Sequence, residues 1–195
     1  EIDPLISTVC GLSTLSSCVD IALISQENSS PWLELAGQAY AALASASKKK
    51  RMPLDSIHAL SHAGSELGHL KNSHLPDKTL LSLTTAAVCN ILPFKPMFVR
   101  SALFSSTISS WESSDQLEIL KKLKLDSSEE TFASHVQSLA SRLGVPSMAE
   151  LGFPIDKEMT MVESIAEHAE NLATSDFKEK SPYTQDQFEE VLRKG

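Results

Sequence analysis

Four side chains able to do acid–base or metal chemistry recur in one short stretch: His58, His62, Glu66 and His69. At spacings of three and four residues they fall on successive turns of one helix. His58-x-x-x-His62 has the spacing a divalent cation needs to take two imidazoles from one element, with Glu66 one turn further on. His69 would lie about 16 Å from His58 along that helix, so those two cannot share one ion. The pair lacks the adjacent Glu of a zinc-protease helix, and the bland reading is a partly exposed polar face. The expectation is no bound metal and no cofactor.

Nucleophiles are offered by Cys10, Cys18, Cys89 and many serines, but none sits in a sharp Gly-flanked elbow of the kind that exposes a catalytic Ser or Cys. The carboxylate pairs Glu129/Glu130 and Glu189/Glu190 fall at helix starts or on polar faces, where capping and solvation explain them. Trp32, Trp111, Phe94, Phe98 and Phe104 serve either a core or an apolar pocket.

The elements that must position these groups are helices. Asp3 and Pro4 open a helix over residues 5–23, whose Gly11 and serines allow close approach of a neighbour. Ser30-Pro31 opens the next, to about Ser47. Pro53 precedes a helix over residues 54–70 in which Ile57, Leu60, Gly64 and Leu67 share one face, nearly opposite the histidines. Residues 78–92, nearly uncharged and ended by Pro93, read as a buried helix at the centre of the fold. Pro96 starts another, followed by a Ser-rich break at 105–114 and a helix over 116–124. The capping box Ser127-x-x-Glu130 opens a helix that ends at Gly144. A short turn at 147–151, a helix over 156–174, and a Thr184-x-x-Gln187 box opening 185–193 complete the chain. No stretch alternates with period two, so the fold class is all-α, a single bundle domain of eight or nine helices over residues 1–195.

The 195 residues carry a formal net charge of −8, with 42% hydrophobic and 22% charged residues. An acidic chain has no nucleic-acid footprint, and its basic run, Lys48 to Arg51, reads as a solvated loop. Three cysteines among many Leu, Ala and Ser suggest thiols in a reducing compartment, so a cytoplasmic location is expected. The stretch Leu5–Ser25 contains Asp20 and follows an acidic start, which argues against a membrane or secretory segment.

Three pieces of text carry a resemblance: Cys10-Gly-Leu-Ser-Thr-Leu-Ser-Ser-Cys-Val-Asp-Ile-Ala-Leu23, then Thr84-Thr-Ala-Ala-Val-Cys-Asn-Ile-Leu-Pro93, then the C-terminal third from Leu139. In that third, Leu139 to Pro146, Met148 to Gly152 and Ser181 to Arg193 match. Together they resemble the helical domain of the iron-dependent alcohol dehydrogenase superfamily, the maleylacetate reductase branch in particular. The resemblance implies a dehydroquinate synthase-like helical domain, which in those proteins follows a nucleotide-binding domain that this chain does not contain. Metal-binding members carry Asp or Asn, and a His four residues later, where this chain has Ser13 and Ser17. By motif, His58 takes a ligand position, His62 lines the site and His74 stands for a loop histidine. Counting back from Pro93 instead puts ligand positions near His69 or Leu70 and near Thr84.

With the ligand set degenerate and no nucleotide fold, the resemblance implies a domain that keeps a substrate cleft and loses the redox chemistry. It would bind a small, largely apolar organic molecule, and can be pictured catalysing an isomerisation, cyclisation or elimination. His74, His58 and His62 would be its acid–base groups, and Ser13, Ser17, Thr84 and Phe94 its substrate contacts. Partners would be that molecule and either a second copy or a separate nucleotide-domain chain, with no nucleic acid and no membrane. Two alternatives stay open: the helical half of a metal- and NAD(P)-dependent oxidoreductase, and a non-catalytic protein-interaction bundle.

Overall fold

A computed structural model describes residues 3–24, 30–49, 53–71, 79–125, 131–153, 159–177 and 181–195. Among these residues the chain is all-α, with nine helices and no strand: α1 (Pro4–Ile24), α2 (Ser30–Lys49), α3 (Leu54–Lys71), α4 (Leu80–Ile91), α5 (Pro96–Ser109), α6 (Ser113–Lys122), α7 (Phe132–Arg142), α8 (Met159–Phe177) and α9 (Gln185–Lys194). The chain divides into two compact units, Glu1–Leu75 with Trp111–Val145, and Pro76–Ser110 with Pro146–Gly195. The first holds α1, α2, α3, α6 and α7; the second holds α4, α5, α8 and α9.

In the first unit α1 and α2 lie side by side and α3 joins both. Asp3 opens α1 by accepting a hydrogen bond from the Leu5 amide at 2.8 Å. Val9, Leu12, Leu15 and Val19 of α1 are buried, as are Ala36, Ala39 and Leu43 of α2 and Leu60 and Ala63 of α3. Gly11 sets the spacing. A methyl group at Gly11 would sit 2.9 Å from Leu43 Cδ2 and 2.9 Å from Leu60 Cδ1, so leucines from two neighbouring helices occupy the place of its missing side chain. Along the α1/α3 contact Gly11 meets Leu60 and Thr14 meets Gly64, so the two helices run in the same direction. The 19-residue segment Pro4–Ala22 is long and apolar enough to cross a membrane by length and composition, and 67% of its apolar window is buried in the protein.

Two helix ends in this unit share one geometry. After α7 the Val145 amide donates to Ala140 O and the Gly144 amide to Ser141 O, with Gly144 at φ 69°. This is a Schellman closure, and the glycine takes the left-handed backbone at little cost. After α6 the same pair of bonds joins Leu125 to Leu120 and Lys124 to Lys121, but the left-handed residue is Lys124, at φ 56°. Buried Gln116 ties α6 to α7: its Oε1 accepts from the Ala133 amide at 3.3 Å. The cap of α7 is Thr131, whose Oγ1 accepts from the Ser134 amide, and the helix begins at Phe132. The expected cap at Ser127-x-x-Glu130 lies outside the described residues, as do Lys50 and Arg51 of the basic run.

In the second unit α4 contacts α5, α8 and α9 and buries Leu80, Leu81, Leu83, Ala87 and Val88. Thr79 caps α4 through a bond from the Ser82 amide. The serine-rich break expected from residue 105 does not occur there, because α5 continues to Ser109. Its hydroxyls are satisfied on the preceding turn: buried Ser106 and Thr107 donate to Leu103 O, and exposed Ser109 to Ser105 O. A serine that satisfies itself on the preceding turn can be buried without loss, and burial overrides its weak helix propensity.

Thr184 and Gln187 form the expected capping box of α9, which buries Phe188, Val191 and Leu192. Ser147 and Glu150 form a smaller reciprocal pair. The Ser147 backbone N–H, and then its hydroxyl, hold the Glu150 carboxyl below its usual range. A depressed carboxyl contributes stability above its unfolded pKa and loses it as pH falls through the folded value.

Two substitutions test this account. Lys124→Gly relieves a left-handed lysine and should stabilise the chain by about 1 kcal/mol, read as a higher midpoint in urea. Gly11→Val should destabilise it by about 2 kcal/mol, because buried Leu43 and Leu60 cannot both withdraw.

Candidate functional site

A groove runs along the α1/α3 contact of the first unit. Its volume is about 300 Å³, and Ile6, Ser7, Cys10, Gly11 and Thr14 of α1 line it opposite Ile57, Leu60, Ser61 and Gly64 of α3. The groove exists because small residues face one another. Protein interiors fill to near crystal density when large side chains interdigitate. Here Ser7, Cys10 and Thr14 share the lining with Ser61 and Gly64, and a Cβ at Gly64 would have one neighbour within 4 Å, Thr14 Oγ1 at 3.7 Å. No lining residue carries a formal charge. The walls are apolar, with three hydroxyls and one thiol along them.

The hydroxyls of α1 are already engaged. Ser7 Oγ donates to Asp3 O at 3.3 Å and Thr14 Oγ1 to Cys10 O at 3.0 Å. Cys10 is exposed, Cys18 is buried and Cys89 lies between, where burial pushes its thiol pKa up. All three cysteines are thiols, with no disulfide between them.

The residues singled out in the sequence are dispersed. His58 and His62 are exposed on α3 and are not among the groove-lining residues, while Ile57, Leu60 and Gly64, assigned from periodicity to the apolar face, are. Ser13 is partly buried and Ser17 buried in α1, neither lining the groove. Thr84 and Phe94 belong to the second unit. Thr84 is fully buried and donates to Leu80 O at 2.6 Å, so its hydroxyl serves its own helix. Phe94 is partly exposed. His74 lies outside the described residues, and so does the side chain of His69. Among the described residues no group of three or more His, Cys, Asp or Glu is placed to hold a metal ion. Of Trp32, Trp111, Phe94, Phe98 and Phe104, Trp32 and Phe104 are core.

Sequence reasoning missed the α1 side of the groove: Ser7, Cys10 and Thr14. Their spacing of three and four residues matches that of Ile57, Leu60, Ser61 and Gly64, a signal visible only once the two helices are known to be neighbours. In the second unit Asn90 Nδ2 lies 3.3 Å from His168 Nε2, bridging α4 and α8.

Next to Thr84, the buried Thr85 Oγ1 has no hydrogen-bond partner among the described residues. Thr85→Val removes an unsatisfied polar atom at nearly constant volume and should stabilise the chain by about 1 kcal/mol. Thr84→Val, which deletes a satisfied hydroxyl, should leave the unfolding midpoint unchanged or lower; the two variants compared in urea decide the point. Comparison of this chain with family models, with curated proteins and with solved structures finds no match.

Proposed function

We propose that this chain is a helical binding module of iron-dependent alcohol dehydrogenase ancestry whose α1/α3 groove takes a small, neutral, largely apolar organic molecule. One observation carries the reading: an uncharged cleft of about 300 Å³ walled by Ile6, Ile57, Leu60 and two glycines. Ligand sites are concave, mostly apolar and supplied with a few polar groups, and this volume falls at the lower edge of their usual range. Binding is favoured over catalysis because His58 and His62, the acid–base groups expected on α3, are exposed away from the lining. The family ancestry rests on the motifs from Cys10, Thr84 and Leu139.

The test is a thermal-shift panel of neutral naphthalene-sized molecules, NAD(P)H, zinc and iron. A neutral ligand at about ten times its Kd should raise Tm by roughly 3–6 °C. The same ligand should protect Cys10, exposed in the groove, from alkylation by iodoacetamide. Gly64→Leu fills the open space beside Thr14 and should abolish both effects without lowering Tm, since leucine is also the better helix former. Stabilisation by NAD(P)H, zinc or iron alone would instead make the chain the helical half of a redox enzyme.

A further inference from the structure

We infer that the groove takes an elongated, unbranched amphiphile, a medium-chain alcohol or ester, lying parallel to α1 and α3 with its tail towards Ile6 and its polar end towards Thr14. The inference rests on the groove reading above and adds the ligand's shape and direction.

The groove is long for its volume. Its α1 wall runs from Ile6 to Thr14, and those eight steps rise about 12 Å at 1.5 Å per residue. A volume of about 300 Å³ over that length leaves a mean cross-section of about 25 Å². Carbon atoms in contact lie about 3.5–4.0 Å apart, so a channel about 5 Å across holds one hydrocarbon strand and not two abreast. An extended chain advances about 1.2 Å per bond, so about eight to ten carbons reach from one end to the other. A compact cage with as many carbons would leave part of the length empty and stand out into water.

The two ends differ. The helices run in the same direction, with Gly11 beside Leu60 and Thr14 beside Gly64. Ile6 and Ile57 therefore stand towards the helix N-termini, and Ser61, Thr14 and Gly64 towards the other end. Ile6 is 44% exposed, and Leu54, one turn before Ile57, is 68% exposed. A tail laid over Ile6 and on towards Leu54 removes apolar surface from water. At the other end the Thr14 and Ser61 hydroxyls can each give or take a hydrogen bond, so an alcohol, ester or amide head finds a partner there. The hydroxyl on the tail side is that of Ser7, which donates to Asp3 O at 3.3 Å.

The experiment titrates the full chain with hexan-1-ol, octan-1-ol, decan-1-ol and the compact adamantan-1-ol, following backbone amide shifts by NMR. Each added methylene should tighten binding about two- to fourfold, and decanol should bind about tenfold or more tightly than adamantanol, which has as many carbons. As the chain lengthens, new shift changes should appear at Leu54, Ile57 and Ile6, while those at Thr14 and Gly64 stay as hexanol sets them. Leu54→Ser, at an exposed position, should shrink the gain from octanol to decanol. Adamantanol binding as tightly as decanol, both lost in Gly64→Leu, would overturn the elongated class and leave the groove reading intact. Shift changes that grow at Gly64 instead of Ile6 would overturn the direction. If no alkanol binds while a neutral fused-ring molecule raises Tm, this inference falls and the groove reading stands; if neither binds, both fall.

Discussion

The first unit depends on the absence of a side chain at one position. Because Gly11 presents only backbone, Leu43 from α2 and Leu60 from α3 reach the α1 surface at the same level. That close approach fixes the register of α3 on α1, and the register sets Thr14 opposite Gly64. There a small residue faces a glycine, and the space that larger side chains would have filled is part of the groove. Tight packing at one level and open volume at the next have a common origin.

A second constraint runs through both units. The helices are rich in serine and threonine, residues that ordinarily weaken a helix interior by competing for backbone hydrogen bonds. Here they are turned back onto carbonyls three or four residues earlier: Ser16 on Ser13, Ser47 on Ala44, Thr84 on Leu80, Ser106 and Thr107 on Leu103, and Thr174 on Glu170. With its proton committed, such a hydroxyl can be buried beside leucine as a small, nearly apolar group.

The two lines of functional argument rest on different parts of the chain. The resemblance to a dehydrogenase helical domain draws on motifs in both units and on histidines of α3 and of the segment that follows it. The groove draws on α1 and on the face of α3 turned away from His58 and His62.

Much of the helical order was legible in the chain itself. Pro4, Pro96, Gly144 and the Thr184–Gln187 pair mark helix ends through local backbone chemistry, and local chemistry does not depend on neighbours. The apolar face Ile57–Leu60–Gly64 was equally plain, since periodicity records which side must be buried. The continuation of α5 through Ser109, the left-handed Lys124 and the cap at Thr131 were not legible. Lys124 and Thr131 close on residues three to five positions away, in turns that this composition does not single out, and α5 runs on because Ser106, Thr107 and Ile108 are buried in the folded chain. The groove was hidden for the same reason. Sequence names the residues on each face of a helix, but which faces meet, in which direction and at what level is decided by packing across tens of residues.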